Sequence, residues 1–364
     1  SKVIFHIDVN SAFLSWTAVE KLKNGSEVDL RLVPAIIGGD EASRHGVVLA
    51  KSEAAKKYGV VTGEPVASAL RKCANLLMEP PNHQMYGEYS KGLMKFLETY
   101  TPDIEQISVD ECFLDYTPIR HLYGEPVAFA QRLKREIREQ LGFTVNIGIS
   151  EVKILAKMAS DFQKPDKVHT LWKREIQEKM WILPVSELYM VGKSSLTKLR
   201  NLGIHTIGDL AKMDPEILQA HFKSFGKLIW ENANGIGSDV VESEETVAKG
   251  VGNSTTLSED VTDAHAAKKV LLALAESVSA RLRKQKMLAG NVAVEIVAVR
   301  TAVQSHHGLK VLHGVVQAGD VAGGDVGGIA HQDVKVAQSR AGGLHGIPFQ
   351  MDHPAGEVVA ADVL

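Results

Sequence analysis

Apolar runs and helically spaced apolar positions divide the chain into short strands and amphipathic helices. Residues 3–9 form an apolar, β-favouring run, and residues 107–115 form a second one. Apolar spacing predicts helices at residues 85–100 and 126–141, followed by a strand at 145–149 that enters another helix. The order strand, helix, acidic strand, strand, helix, strand is typical of a split βαββαβ unit, with an insertion after its first strand.

The insertion predicts a small α+β unit. A helix follows the first strand and ends at Asn24-Gly25, which has turn chemistry. Two short strands at residues 33–37 and 47–50 precede a helix at 52–58. Pro80-Pro81 marks the end of the insertion, because neither proline can donate a hydrogen bond to a β-ladder.

A segment of short helices opens at Leu183-Pro184. Its glycine-bearing turns, such as Gly192-Lys193, would present backbone N–H groups to DNA phosphates, as helix-hairpin-helix elements do. Helical hairpins that merely pack are the alternative, and Met190 stands where such hairpins usually have glycine.

An acidic, polar run near residues 242–246 indicates a linker. Beyond it, the pattern predicts a strand at residues 255–261, a long helix at 264–286 with a basic end, and a strand at 292–299.

The composition is that of an ordinary folded protein of about two to four domains: 364 residues, 45% apolar and 23% charged. No stretch reaches the roughly 18 apolar residues of a membrane-spanning helix, and the start lacks a basic segment followed by an apolar one. We therefore expect no membrane or secretory route and a cytoplasmic location. Cys73 and Cys112 are the only cysteines, too few for a disulfide framework and without zinc spacing.

Charge is unevenly distributed, although the net charge is only −3. Residues 98–116 carry six acids and no Lys or Arg. Residues 153–231 carry thirteen Lys and Arg against nine acids, and residues 249–290 carry seven against four. An acidic centre flanked by basic segments suits a metal site that receives a phosphate polymer.

Carboxylates interrupt both apolar runs. Asp8 lies near the end of the first run, and Asp110-Glu111 lie inside the second. Buried carboxylates are costly unless a cation compensates them, so pairing of the runs would let the three acids converge on Mg²⁺ in a two-metal phosphoryl-transfer site. Neighbours on a regular strand point to opposite faces, so we expect the adjacent acids at a hairpin turn or bulge. The alternative is an edge strand that protects itself with charge.

A helix predicted after residue 150 carries Lys153, Lys157 and Lys164 at spacings of four and seven, which places them near one face. A solvated basic face is the alternative to a phosphate-binding face.

These motifs resemble the Y-family translesion DNA polymerases, in particular the bacterial DNA polymerase IV group, over residues 3–299. The Asp8 strand, Ser108-Val109-Asp110-Glu111, the helix leading to Lys164-Pro165 and the helical hairpin occur in the family's order. The resemblance implies an α+β, multidomain right-hand polymerase with a ferredoxin-like βαββαβ palm, small fingers, a helical thumb with a helix-hairpin-helix and a little finger that looks incomplete.

The domains implied by the resemblance follow the family's order along the chain. They are a palm at residues 1–11 and 82–171, fingers at 12–81, a thumb at 172–238, a linker at 239–248, a partial little finger at 249–299 and an atypical Gly-, Val- and His-rich tail at 300–364.

The resemblance also implies roles for single residues. Asp8, Asp110 and Glu111 look like the catalytic metal carboxylates, with the Val9 carbonyl as a further metal ligand. Phe13 matches the steric gate, an aromatic ring under the deoxyribose that clashes with a 2′-hydroxyl. The residues implied to bind nucleotide are Phe13, Lys56, Ser108 and Lys164, of which Lys164 looks like the triphosphate-binding lysine. The residues implied to bind DNA are Gly192 and Lys193.

The fingers depart from the family pattern. Many relatives place a tyrosine and an arginine on the triphosphate where this sequence has Glu53 and Lys56. Lys56 can neutralise phosphate as a point charge without a bidentate fork, whereas Glu53 cannot. Lys51 and Lys57 are candidates to compensate.

The implied function is template-directed, low-fidelity translesion synthesis, with nucleotidyl transfer from a dNTP to a primer 3′-OH at two Mg²⁺ ions. The implied partners are primer-template DNA and dNTP, and we expect a monomer. No clamp-binding peptide is convincing, so contact with a sliding clamp stays open. Two rivals are a nucleotidyl cyclase, against which the hairpin-bearing thumb argues, and a non-catalytic DNA-binding accessory protein, against which the three carboxylates argue.

The resemblance stops at residue 300, although the family's little finger continues. Residues 300–364 include a glycine-rich stretch, six of the fourteen histidines, and four Lys and Arg against six acids. The spacings fit neither a histidine-rich metal site nor a glycine-rich calcium repeat. We therefore expect this segment to be foreign to the fold and poorly ordered, with weak DNA binding and low processivity as the result.

Overall fold

The computed structural model describes residues 2–39, 46–244, 250–261, 263–299 and 308–317. The chain divides into two compact units, one of Ser1–Gly39 with Val47–Glu245 and one of Asp40–Gly46 with Thr246–Leu364. The division falls within the predicted linker at 239–248, whose last residues lie outside the described part. The predicted boundaries of the palm, fingers and thumb stay predictions.

The first unit combines short strands with helices. Its strands are β1 (Ile4–Val9), β2 (Ala35–Gly38), β3 (Val48–Lys51), β4 (Leu77–Glu79), β5 (Ile104–Gln106), β6 (Glu111–Asp115), β7 (Val145–Ser150) and β8 (Val168–Thr170). Its helices are α1 (Ala12–Lys23), α2 (Glu53–Lys56), α3 (Val66–Lys72), α4 (His83–Glu98), α5 (Arg120–Tyr123), α6 (Pro126–Leu141), α7 (Lys153–Asp161), α8 (Lys193–Asn201), α9 (Ile207–Lys212), α10 (Pro215–Phe222) and α11 (Ser224–Ala233).

Five strands form a sheet in the order β5-β6-β1-β7-β8, here called the palm sheet. All six residues of β1 are buried, because the strand lies in the middle of the sheet and is covered on both faces. Phe5 and Ile7 pack into one core with the apolar stripes of α4 and α6, whereas Ile4 packs with Ala156 of α7 on the other face. The strand order and the helices confirm the predicted βαββαβ unit.

The second acidic run differs from the prediction in its first half. Residues 107–110 form a turn between β5 and β6, in which the N–H groups of Ile107 and Ser108 both donate to the Glu111 carbonyl, at 3.0 and 3.3 Å. The strand therefore begins only at Glu111. The expected hairpin at the adjacent acids is confirmed, with Asp110 in the turn and Glu111 at the start of β6.

The insertion forms a separate sheet in the order β3-β2-β4. The predicted strands correspond to β2 and β3, while β4, which pairs in parallel with β2, was not predicted. Ser52 begins α2 as its N-cap, because its hydroxyl oxygen accepts the N–H of Ala55 at 3.0 Å and donates to the Val33 carbonyl at 2.7 Å.

Helices α8 to α11 pack around a common apolar core in the predicted thumb. Leu199, Ile207, Leu218 and Ile229 are fully buried there. The turn before α8 places Met190 at a φ of 77°, the left-handed conformation for which hairpins usually carry glycine.

The second unit contains β9 (Val251–Val261), α12 (Ala264–Lys284), β10 (Asn291–Val299) and β11 (Gly308–Gln317). The three strands form an antiparallel sheet in the order β10-β11-β9, and Val278 and Leu282 of α12 pack with Val251 of β9. The expectation that residues after 299 are foreign to the fold is therefore wrong for β11, which pairs with both other strands. Residues 300–307 and 318–364 lie outside the described part. No helix in the described ranges is long and apolar enough to cross a membrane.

Candidate active site

The pairing of β1 with β6 brings two of the predicted metal carboxylates together. Asp8 lies directly opposite Glu111 in this antiparallel ladder, so both side chains point to the same face of the palm sheet. The Val9 N–H donates to the Asp110 carbonyl at 3.0 Å, which fixes the turn beside them. Because Ile4 of the same strand packs on α7, the alternation of side chains places Asp8 on the α7 face as well.

Lysines from α7 and the loop after it compensate these carboxylates. Lys164 forms an ion pair with Asp8, and Lys157 forms one with Glu111. Lys164 also lies 2.8 Å from Asp161. Lys153 lies on the same face of α7, as predicted, but pairs with Glu105 of β5 at 2.5 Å, away from the three acids.

Burial controls the protonation of Asp8. It raises the pKa of Asp8 to about 6, although Lys164 and Lys157 act in the opposite direction. Burial alone would lower the pKa of Lys164, but the carboxylates of Asp8 and Asp161 outweigh it and raise that pKa, so Lys164 stays charged. His6, buried two positions before Asp8, has its pKa held well below the usual value by burial and by the two lysines, so its ring is neutral near pH 7.

Asp110 is held by its own turn. Its Oδ1 accepts a hydrogen bond from the Ser108 hydroxyl at 2.7 Å. The predicted convergence of three acids is therefore seen for Asp8 and Glu111, with Asp110 adjacent to them. Ser108 is not among the described residues that line the cavity at this site, so its role toward nucleotide stays a prediction.

A cavity of about 400 Å³ lies over the acids, within the size range of small-ligand sites. The predicted site residues that line it are Asp8, Val9, Phe13, Lys56, Asp110, Glu111 and Lys164. The fingers residues Lys51 and Glu53 also line it, whereas Lys57 is not among its described lining residues. Lys56 Nζ lies 3.8 Å from a carboxylate oxygen of Glu53, so this acid partly neutralises the lysine.

Sequence reasoning missed the buried amide that fixes the loop carrying Lys164. Asn146 of β7 is fully buried and uses all four of its hydrogen-bonding positions. Its Nδ2 donates to the carbonyls of Ser160 and Gln163 at 2.9 and 2.7 Å, and its Oδ1 accepts from Asn10 Nδ2 and the Lys167 N–H at 3.1 and 3.2 Å. The available signal was an asparagine inside the apolar strand Val145–Ser150.

The donor set fits a hard divalent cation. No three His, Cys, Asp or Glu side chains of the described ranges converge as a metal cluster in the present arrangement. Asp8 and Glu111, however, are neighbouring carboxylates that each already carry a cationic partner, and Asp110 and Val9 line the same cavity. Carboxylate and carbonyl oxygens are the ligands that Mg²⁺ prefers.

The fold and the site together define a right-hand polymerase fold: a ferredoxin-like sheet with cross-strand acids, lysines over these acids, and a cavity that residues of the small second sheet also line. In agreement, the impB/mucB/samB family matches residues 7–161, and the C-terminal domain of that family matches residues 248–310. The chain belongs to this family. Dependence on a divalent metal ion is general in it.

Curated relatives support this assignment. The chain is 54% identical to a protein named DNA polymerase IV from Clostridium acetobutylicum, over 81% of this chain and 74% of the relative. It is 38% identical to DNA polymerase IV of Alkaliphilus oremlandii, over 78% of this chain and 70% of the relative. A Y-family DNA polymerase chimera of known structure shares the fold, with a TM-score of 0.72 at 18% identity over 86% of this chain and 98% of that one.

Proposed function

We propose that this chain is a template-directed DNA polymerase that performs low-fidelity translesion synthesis on damaged template. The observation that carries the proposal is the cross-strand pair Asp8 and Glu111 at a cavity that Phe13 and Lys164 also line. The names of the bacterial relatives and the polymerase fold support it.

In this reaction the primer 3′-oxygen bonds to the α-phosphorus of a dNTP, the bond from that phosphorus to pyrophosphate breaks, and the hydroxyl proton passes to solvent water. Asp8, Asp110, Glu111 and the Val9 carbonyl would hold two Mg²⁺ ions. When bound, such ions lower the pKa of the hydroxyl and offset phosphate charge.

The cationic side chains of the chain act on the triphosphate. Lys164 and Lys157 bring positive charge to the palm side of the cavity, and Lys51 and Lys56 bring it to the fingers side. Phosphate oxygens would be stabilised between these two groups of ammonium ions. Glu53 reduces the net positive charge that Lys51 and Lys56 bring to the fingers side.

We propose primer-template DNA and dNTP as the partners, a monomeric state and a cytoplasmic location. Gly192 and Lys193 lie exposed at the start of the nine-residue helix α8. The N–H groups of its first turn, together with the Lys193 ammonium, suit a backbone phosphate of the duplex.

The test is primer extension with Mg²⁺ and four dNTPs. Asp110→Ala and Glu111→Ala should abolish extension, because they remove oxygen ligands, while primer-template affinity measured by fluorescence anisotropy stays near the wild-type value. Glu98→Ala, an exposed acid at the end of α4, is the control and should extend normally. Near-normal extension by the Glu111 variant would contradict the metal assignment. A cyclic product formed without DNA would indicate a nucleotidyl cyclase instead.

A further inference from the structure

Two aromatic side chains of α4 pack against the Phe13 ring that lines the cavity. Tyr86 stacks on it face to face, with ring centroids 4.3 Å apart and planes 8° apart. His83 meets it edge-on, with centroids 5.8 Å apart and an angle of 90°. Within the described ranges Phe13 lines the cavity, whereas Tyr86 and His83 do not. These two residues therefore contact the gate ring without lining the nucleotide cavity.

Hydrogen bonds tie Tyr86 to the helical turn that carries Phe13. Tyr86 is 1% exposed, and its hydroxyl lies 3.3 Å from Thr17 Oγ1. The Thr17 hydroxyl donates its single proton to the Phe13 carbonyl at 2.7 Å, so the Tyr86 hydroxyl is the donor to Thr17. Tyr86 thus holds the Phe13 ring by stacking and the Phe13 backbone through Thr17.

We propose that Tyr86, with His83 at the ring edge, is a positioning residue that sets the discrimination between deoxyribonucleotides and ribonucleotides. The inference rests on the proposed function. A ring excludes a 2′-hydroxyl only when displacing the ring is costly, and a buried stacked partner supplies that cost. Without the partner, Phe13 could tilt away from the sugar and admit the extra oxygen.

The experiment measures kcat/KM for single incorporation of a dNTP and of the matching ribonucleotide by the full chain. The discrimination ratio is kcat/KM for the dNTP divided by kcat/KM for the ribonucleotide. Tyr86→Leu should lower this ratio about three- to tenfold, which is the range of an aromatic pair interaction. Tyr86→Phe keeps the stacked ring and loses only the hydrogen bond to Thr17, so its ratio should equal the wild-type value within experimental error. His83→Ala changes an exposed residue and should lower the ratio by about twofold.

The matched control is Tyr116→Leu. Tyr116 is also fully buried in the core of the palm sheet and stacks on Phe5 at 4.8 Å, but it has no ring contact with Phe13 among the described pairs. Its ratio should stay at the wild-type value. An equal fall in this control would show general loosening of the core and would overturn the inference.

A double variant separates action through Phe13 from action elsewhere. If Tyr86 works only by holding Phe13, Phe13→Ala with Tyr86→Leu should give the same ratio as Phe13→Ala alone. A further fall in the double variant, or an unchanged ratio in Tyr86→Leu, overturns the inference and leaves the proposed function standing. If Tyr86→Leu does not fold by circular dichroism, an unchanged ratio in His83→Ala overturns it. Absence of dNTP incorporation by the wild type overturns the proposed function and this inference with it.

Discussion

Phe13 lines the cavity from the first turn of α1, directly after the strand that carries Asp8. We predict that Phe13→Ala raises ribonucleotide use relative to dNTP use by about tenfold or more, because the lost ring leaves space for the 2′-hydroxyl. Single-nucleotide kcat/KM values for both substrates check this. Phe96→Ala, a half-buried phenylalanine packed on the core of the palm sheet, is the control and should not change the ratio. If Phe13→Ala keeps the wild-type ratio, the residue serves packing alone.

Asp8 gives the protein a pH-dependent stability when no metal is present. Its pKa of about 6 lies above the ordinary value of 3.8, so the folded state binds this proton more tightly than the unfolded chain. The contribution of Asp8 to the free energy of unfolding therefore grows as the pH falls through 6 toward 4 and is absent well above 6. We predict that the free energy of unfolding of wild type relative to Asp8→Asn rises by about 1 kcal/mol between pH 7.5 and pH 5.

Urea denaturation in EDTA at the two pH values measures this difference. A difference between wild type and Asp8→Asn that falls as the pH is lowered would contradict the raised pKa.

Sequence reasoning located the acids because ionisable residues inside apolar strands are unusual. It also placed Lys153, Lys157 and Lys164 near one face, and all three pair with acids on the α7 face of the palm sheet, but it did not show that α7 ends at Asp161. Lys164 reaches Asp8 from the loop after α7, which Asn146 holds by a hydrogen bond to the Gln163 carbonyl. Lys153 pairs with Glu105 instead. Such tertiary hydrogen bonds leave no periodic trace in a sequence, so only the structure shows them.

Among the elements, α7 and β7 make the closest approach that supports the site. A Cβ added at Gly148 would lie 2.0 Å from the Ala156 carbonyl oxygen and 2.4 Å from the Ser160 nitrogen. We predict that Gly148→Ala destabilises the protein by about 3 kcal/mol or more, because rigid backbone on both sides must move. It should also impair extension, since the displaced helix carries Lys157.

Thermal or urea unfolding measures the effect, with Gly92→Ala as the matched control. Gly92 lies inside α4, and a Cβ there would meet nothing within 4 Å. This control should be stabilised by about 0.5–1 kcal/mol through helix propensity. A Gly148→Ala variant as stable as wild type would show that α7 can shift without cost.

Long periodic elements were predictable and short ones were not. The predicted helix at 126–141 coincides with α6, whose apolar stripe is strong and whose ends carry Pro126 and Gly142. The three-residue strands β4 and β8 escaped prediction because three positions show no periodicity. The segment at 308–317 was assigned to the atypical tail by composition, although it forms β11 and the family match reaches residue 310.

At the scale of the whole molecule, a net charge of −3 means that DNA affinity must come from local basic surfaces. We predict that Lys193→Ala weakens primer-template binding equally across sequences and reduces the slope of log K against log salt by about 1, as loss of one phosphate contact would. Fluorescence anisotropy over a salt series measures the slope. Lys227→Ala, an exposed lysine of α11 that pairs with Glu231 at 3.7 Å, is the control and should leave the slope unchanged. An unchanged slope in Lys193→Ala would show that Lys193 at the start of α8 makes no phosphate contact.

The central place of β1 also determines when this protein can fold during its synthesis. Its partners are β6 and β7, which pair Asp8 with Glu111 and with Asn146, more than a hundred residues later in the chain. At about 5–20 residues per second, a ribosome needs roughly 5–30 seconds to supply them. During that interval the apolar segment Ile4–Val9 lacks its partner strands. Contacts between residues so distant in sequence also form slowly. Protection of this first strand on the nascent chain, by a chaperone or by transient local collapse, should therefore govern the yield of active protein.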